Sequence, residues 1–202
     1  MRIIGGTAAG LLLKVPKGYD VRPTPDLVKQ ALFNSLGERV VGARALELFA
    51  GTGALGLECL SRGATRVVSV EKASRQARLI QQNLATTRLP AECFQVRVQD
   101  AFAAIAQLAE QGRQFDLILA DPPFGEKNLG RRSTSFSQQL LDDLILPSLL
   151  LAPGLFILGH TKRDSLCCPD FWDEVKVLKH GDSMVRFLRT KPNPSIQTDE
   201  TA

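Results

Sequence analysis

From Arg44 onward, short runs of Val, Leu, Ile and Phe alternate with longer stretches of helical spacing, and that rhythm admits few folds. Strands are expected at 45–49, 66–71, 94–98, 115–120 and 155–159, and helices at 54–61, 73–85, 101–111 and 138–150. Helical crossovers of this kind let neighbouring strands run parallel, with helices covering both faces of one sheet. The ending breaks the rhythm. Runs at 175–179 and 184–189 are joined by a short turn at Gly181-Asp182, which fits a hairpin at the edge of the sheet. The expected fold is α/β: a seven-stranded, mostly parallel sheet with an antiparallel last strand and helices on both faces.

The first 22 residues have a different pattern. Arg2-Ile3-Ile4 and Leu11-Leu12-Leu13 are separated by Gly5-Gly6 and other turn residues, so a small β-hairpin extension is expected over 1–22. It carries Arg2, Lys14, Lys17 and Arg22 against one acid, Asp20. A helix should open at Thr24-Pro25-Asp26, with Thr24 as cap, Pro25 in the first turn and Asp26 complementing the helix dipole. Leu27, Val28, Ala31, Leu32 and Leu36 recur at helical spacing as its buried face. The main domain is expected over 23–190, with 191–202 as a flexible polar tail.

With 202 residues, 44% hydrophobic and 23% charged, the chain can bury a full core and is not disordered by composition. A net charge of +4 and a pI near 9.0 permit a nucleic-acid partner without requiring one. Cys59, Cys93, Cys167 and Cys168 lack CxxC spacing, and only His160 and His180 could join them, so no metal is expected. Thiols read as free, an opening Met1-Arg2-Ile3-Ile4-Gly5-Gly6 without a leader-like apolar run, and no run long enough to span a bilayer point to a cytoplasmic protein.

Chemistry concentrates where strands end. In Glu47-Leu48-Phe49-Ala50-Gly51-Thr52-Gly53-Ala54-Leu55-Gly56, a strand enters a glycine turn and then a helix, and Gly51, Gly53 and Gly56 fit G-x-G-x-x-G. Such a turn lets backbone approach a ligand closely. By itself it suits a dinucleotide reader as well as other adenosine ligands, and Gly56 also fits plain helix–sheet packing. Glu71, ending the next strand, can accept from two ribose hydroxyls. Asp100, ending the third, can accept from an adenine amino group, cap the following helix, or both, with Ala101 or Phe102 against the ring. Phe49 and Lys72 beside these motifs, together with Thr24, complete the expected cofactor contacts.

Asp121-Pro122-Pro123-Phe124 follows the fourth strand and separates the possibilities. Two prolines fix the backbone and remove two N–H donors. The carbonyls of Asp121 and Pro122 are then left to accept, Asp121 adds a carboxylate, and Phe124 adds a flat face. Together they suit a planar substrate bearing an NH2 group, so Asp121, Pro122 and Phe124 are the candidate catalytic residues.

These motifs resemble class I methyltransferases of the (D/N)-P-P-(Y/F) type. More narrowly, Arg2-Ile3-Ile4-Gly5-Gly6, Arg22-Pro23-Thr24-Pro25-Asp26, Ala31-Leu32-Phe33-Asn34, the glycine motif and Gly181-Asp182-Ser183 resemble the bacterial 16S rRNA (guanine-N2)-methyltransferase family, RsmD-like, over about residues 2–190. The resemblance implies a Rossmann-like fold and methylation, from S-adenosylmethionine, of the guanine at position 966 (RNA numbering) of 16S rRNA in an assembling small subunit. It also implies that Glu47, Gly51, Gly53, Glu71 and Asp100 hold the cofactor. Asp121 and Phe124 would hold the guanine, and Arg22 and Thr24 would sit near the mouth of the site. Phosphate contacts are expected from Arg2, Lys14, Lys17, Arg22, Lys127, Arg131 and Arg132, and a monomer is expected.

Other classes fit less well. A DNA amino methyltransferase acting on adenine N6 or cytosine N4 is the principal alternative, but the extra target-recognition domain such an enzyme would carry is not expected here. Enzymes that methylate protein glutamine resemble the motif less, since they usually carry Asn where Asp121 stands. A dehydrogenase would need an acid–base residue that neither His160 nor His180 supplies by motif. A non-catalytic RNA-binding module would not need an intact Asp-Pro-Pro-Phe.

Overall fold

In the computed structural model, which describes residues 1–15, 25–123 and 132–191, the apolar runs pair into one seven-stranded sheet. Helix α1 (Asp26–Leu36) precedes β1 (Arg44–Leu48), α2 (Ala54–Ser61), β2 (Arg66–Glu71), α3 (Ser74–Thr87) and β3 (Phe94–Val98). Then come α4 (Ala101–Glu110), β4 (Phe115–Ala120), α5 (Phe136–Asp142), β5 (Leu150–Thr161), β6 (Trp172–His180) and β7 (Ser183–Thr190). The strand order is β3-β2-β1-β4-β5-β7-β6. Neighbours are parallel from β3 through β5, and β7 runs antiparallel to both β5 and β6. From β1 the chain winds outward to β2 and β3, then returns to the other side of β1 as β4. Connections leaving β1 and β4 in opposite directions open a crevice beyond their C-terminal ends, where ligands bind in sheets of this type.

Alternation along the strands sends side chains to two cores. On one face Leu32 and Phe33 of α1, Leu57 of α2 and Ile80 of α3 pack with Leu117, Ile157 and Phe187. On the other, Ile105 and Leu108 of α4 and Leu140 of α5 pack with Leu46, Ile118, Phe156 and Trp172. Trp172 also donates its indole N–H to the Leu141 carbonyl at 3.0 Å, satisfying a polar atom that burial would otherwise strand. Each fully buried side chain of this size contributes roughly 1.5–3 kcal/mol. Among the described residues no helix is long and apolar enough to cross a membrane.

Three departures from the expected elements bear on the site and its support. The helix expected over 138–150 ends at Asp142, because the Asp143 carboxylate accepts from the Ile145 and Leu146 N–H groups (2.8 and 2.9 Å) and starts a separate turn around Pro147. That lets β5 begin at Leu150, five residues before the expected start. Helix α1 starts at Asp26 with Pro25 outside it and no side-chain cap, and Leu27 is 63% exposed while Lys29 and Phe33 are buried in its place. Thr24 lies outside the described residues. At the N-terminus the antiparallel return appears as a single bridge, Arg2↔Leu12, with Ile3 donating to the Leu11 carbonyl at 3.0 Å.

That N-terminal segment is bound tightly to α2. The Glu58 carboxylate, fully buried, accepts from the Ile4 and Gly5 N–H groups, each at 2.8 Å, and from Arg62 at 2.7 Å. Ser61 donates to the Gly5 carbonyl at 2.6 Å and accepts from Ala8 N–H at 2.9 Å. Gly6 has φ +78°, and a Cβ there would fall 1.8 Å from the Ser61 carbonyl oxygen, so only glycine permits the approach. The ammonium of Lys29, pulled down in pKa by burial, donates to the Arg2 carbonyl. Replacing Glu58 by Ala leaves two partly buried N–H groups and Arg62 without their acceptor. The expected loss is about 3 kcal/mol, near the lower bound for a broken buried pair because Arg62 keeps some solvent contact. Urea unfolding midpoints of the two proteins measure it.

Candidate active site

β1 ends at Leu48, and the chain turns through three left-handed positions at every second residue: Phe49 (φ 55°), Gly51 (φ 56°) and Gly53 (φ 75°). Gly53 needs to be glycine twice over, since a Cβ there would also sit 2.7 Å from the Ile80 side chain. Phe49 is the strained member, a bulky residue in a region that disfavours it. Its ring is held in a cluster with Phe102 and Phe136, at centroid distances of 6.2 and 5.4 Å.

Beneath this turn the Glu47 side chain is 2% exposed. One carboxylate oxygen accepts from the Leu55 N–H at 3.0 Å and the other from the Ser69 hydroxyl at 2.5 Å. Gly56 must lack a side chain here, because a Cβ would fall 2.6 Å from that second oxygen. Burial pushes the Glu47 carboxyl up to about 7, against the pull of Ser69 and the two helix N–H groups. Glu47, expected among the cofactor contacts, therefore spends its carboxylate inside the fold, joining β1, β2 and the start of α2.

Glu71 ends β2 and reaches back to the turn. One oxygen accepts from Gly51 N–H and the other from Ala73 N–H, both at 2.8 Å. Each retains lone-pair capacity towards the crevice. Asp100 caps α4, accepting from the N–H groups of Phe102 (3.0 Å) and Ala103 (3.4 Å), and pairs with Lys72 at 3.3 Å. Burial opposes ionisation of Asp100, but the Lys72 ammonium and the two N–H groups outweigh it and hold the carboxyl below its usual range. From the far side of the crevice come Asp121, half-buried, and Pro122, buried, directly after β4.

These groups wall one cavity of about 500 Å³. It brings together Phe49, Gly51, Glu71, Lys72, Asp100 and Ala101 from the expected cofactor set with Asp121 and Pro122 from the expected catalytic set. Glu47 and Gly53 are not on its wall: the first supports the turn from below and the second shapes it. Phe136, Gln76 and Gln99 also line it, and no local motif marks them. Phe136 belongs to α5, far along the chain, and packing against Phe49 and Phe102 holds it there. Thr24 and Phe124 lie outside the described residues, as do Lys17, Arg22, Lys127 and Arg131.

Of the remaining basic residues, Arg2 and Lys14 lie on the paired N-terminal segment, and Arg132 lies away from them. Arg2 pairs with Asp26 at 3.2 Å, at the start of α1 on one face of the sheet. Arg132 pairs with Asp142 of α5 at 2.6 Å, on the other face. Lys14 is exposed, and its backbone is held by Asn83. His160 is buried at the end of β5, bonded through Nδ1 to the Thr161 carbonyl at 2.9 Å and accepting at Nε2 from Arg186 at 3.1 Å. Burial, with the Arg186 guanidinium beside it, lowers its pKa and keeps the ring neutral.

Comparison with known proteins matches residues 1–189 to the family described as "Conserved hypothetical protein 95". The chain is 37% identical over 144 residues to "Putative rRNA methyltransferase YlbH" of Bacillus subtilis, covering 71% of this chain and 78% of that one. It is 33% identical over 177 residues to "Ribosomal RNA small subunit methyltransferase D" of Haemophilus influenzae, covering 87% and 86%. Its fold superimposes on the solved "Putative methyltransferase yhhF" from Escherichia coli with a TM-score of 0.72 and 32% identity, covering 95% and 98%.

The raised Glu47 pKa gives stability a pH dependence of definite sign. Between its ordinary value of 4.5 and about 7 the folded state binds more protons than the unfolded chain. Stability from this group is therefore full below 4.5, declines as pH rises through about 7, and is flat above. In Glu47→Gln that decline should vanish, so the variant's melting temperature should rise relative to wild type between pH 5 and pH 8. A constant difference across that window would show that Glu47 does not titrate there.

Proposed function

The chain belongs to the Conserved hypothetical protein 95 family, and on that premise we infer that it is an S-adenosylmethionine-dependent methyltransferase acting on ribosomal RNA. The observation that carries this reading is a shared wall: Asp121 and Pro122, at the tip of β4, line the same cavity as Gly51, Glu71 and Asp100. The site fits the cofactor in chemistry as well as size. Glu71 offers acceptors for ribose hydroxyls, Asp100 an acceptor for an adenine amine, and Phe49 and Phe136 apolar surface for a ring. Bound there, S-adenosylmethionine supplies an electrophilic methyl group on a sulfonium.

The proposed acceptor is the exocyclic N2 of a guanine in 16S rRNA. That nitrogen is a poor nucleophile because its lone pair is delocalised into the ring. The Asp121 carboxylate and the Asp121 and Pro122 carbonyls would accept its two N–H bonds and draw it towards tetrahedral geometry. Held beside the cofactor cavity, the amine also gains the rate advantage of positioning. The same acceptors stabilise positive charge as it develops on nitrogen. Asp121 takes the proton released after transfer. No strong base is needed, since the methylated ammonium is acidic.

The polymer would be held through phosphates by Arg2, Lys14 and Arg132, with Lys17, Arg22, Lys127 and Arg131 added from segments outside the described residues, so affinity should fall with salt. To reach Asp121 the target base must leave its stack, and Phe124 is the proposed stacking partner. We place the reaction in the cytoplasm, on the small ribosomal subunit or its assembly intermediate, with the enzyme acting as a monomer.

The test offers labelled S-adenosylmethionine and the protein to small subunits lacking the modification, to bare 16S rRNA and to duplex DNA. Label is expected in the subunits as N2-methylguanine, and label confined to DNA would refute the ribosomal assignment. In Asp121→Ala, turnover should fall by roughly 10²–10³-fold, the range for losing one preorganised polar group in a transition state. Cofactor affinity by calorimetry should stay within about twofold, since Glu71 and Asp100 are untouched.

A further inference from the structure

Asp121 borders a second cavity as well as the cofactor cavity. This one measures about 270 Å³ and lies between α1, the end of β5 and the β6–β7 turn. Val28, Leu32, Leu55 and Ile157 supply apolar walls, and the turn at His180–Ser183 supplies a polar rim. We propose that Gly159 is the positioning residue that aims the Asp121 carboxylate into this second cavity, where the methyl-acceptor base of the proposed reaction would lie. The inference rests on reading Asp121 as the acceptor of the substrate amine.

The geometry at Gly159 is the reason for the direction. β4 and β5 pair in register with Ala120 beside Leu158, so Asp121 follows β4 next to Gly159 on β5. A Cβ built on Gly159 would fall 2.5 Å from Asp121 Oδ1 and 3.1 Å from its Cγ. The carboxylate thus occupies the space a side chain at 159 would fill, leaning from β4 across the tip of β5. Both Gly159 and Asp121 are on the wall of the second cavity. A group bonded to Asp121 from that side would lie between α1 and the β6–β7 turn, with the cofactor on the opposite side of the carboxylate.

The cavity suits a flat heterocycle with polar edges. Apolar side chains from α1, α2 and β5 can cover ring faces, while Asp182, Ser183 and His180 offer polar partners at the edges. The turn that closes the pocket is itself fixed. The Asp182 carbonyl accepts from Lys162 N–H at 2.8 Å, and its carboxylate pairs with Lys162 (3.6 Å) and Arg163 (3.3 Å). Both cations are well exposed, and two of them share one carboxylate, so the rim keeps positive charge suited to the phosphates flanking a flipped base.

Two variants test this, each with methyl transfer to unmodified small subunits and with S-adenosylmethionine affinity by calorimetry. Gly159→Ala displaces the carboxylate without adding or removing charge. It should lower kcat by roughly 100-fold, the loss that follows a misplacement of about 1 Å. Its KM for the subunit, cofactor affinity and melting temperature should stay within error of wild type, a split that a merely structural role would not produce. Met184→Trp, at the partly buried start of β7, fills the second cavity from the turn side. It should raise KM for the subunit or abolish transfer while cofactor affinity holds. Wild-type kinetics in both folded variants would overturn the acceptor cavity and leave the proposed activity standing. Absence of transfer by the wild-type protein would overturn the activity, and this inference with it.

Discussion

Glu47 ties three elements together at one buried point, and the crevice is built around that tie. Its carboxyl accepts from Ser69 on β2 and from the first turn of α2 while standing on β1. Burying such a group is costly unless its lone pairs are satisfied. The N–H groups at the start of a helix are among the few fixed donors that can do so without a second side chain. The consequence is geometric. With α2 drawn down onto β1 and β2, the connecting residues must turn sharply, and the left-handed positions at Phe49, Gly51 and Gly53 follow. Glu71 fastens the top of the same turn through Gly51 N–H, so the glycine turn is held by one carboxylate from below and another from the crevice side.

A turn held in this way leaves backbone near the ligand rather than side chains, which allows close approach. Phe49, forced into a left-handed conformation, becomes part of an aromatic wall with Phe102 and Phe136. The opposite wall is made by Asp121 and the two prolines, which cannot donate to the sheet and so leave β4 at its tip. Phe49, Gly51, Glu71 and Asp100 thus stand beyond the ends of β1, β2 and β3 and Asp121 beyond the end of β4, and the reversal of strand order between β1 and β4 brings the two groups to one edge. Gly159 belongs to the same economy of space, since the Asp121 carboxylate stands where its side chain would be. The N-terminal segment adds a further layer. Glu58 and Ser61 of α2 bind it by backbone contacts that do not depend on which side chains it carries, so Arg2 and Lys14 are presented on a fixed support.

The order of strands and helices was legible in the sequence because each apolar run has the period of the element it forms, and the strands at 66–71, 94–98 and 115–120 begin and end where the spacing expects. The convergence of Gly51, Glu71, Asp100, Asp121 and Pro122 on one cavity was legible too, because each ends a strand of a parallel sheet and such ends lie together. Local competition was harder to read. Asp143 broke the helix expected over 138–150 by capping a new turn, and Leu27 lost its place in the core to Lys29 and Phe33, because the N-terminal segment and Glu58 supply partners that helical periodicity does not report.

The sequence by itself determined the alternation, the glycine turn and the identities of the strand-end carboxylates, since these depend on neighbours a few residues apart. Only the tertiary structure decided that Glu47 faces inward rather than the ligand, that Phe136 joins the cavity wall, and that Asp121 leans over Gly159 between two cavities. Each of those outcomes depends on which strand lies beside which and how closely they approach. Sheet register sets that distance, and no short stretch of sequence contains it.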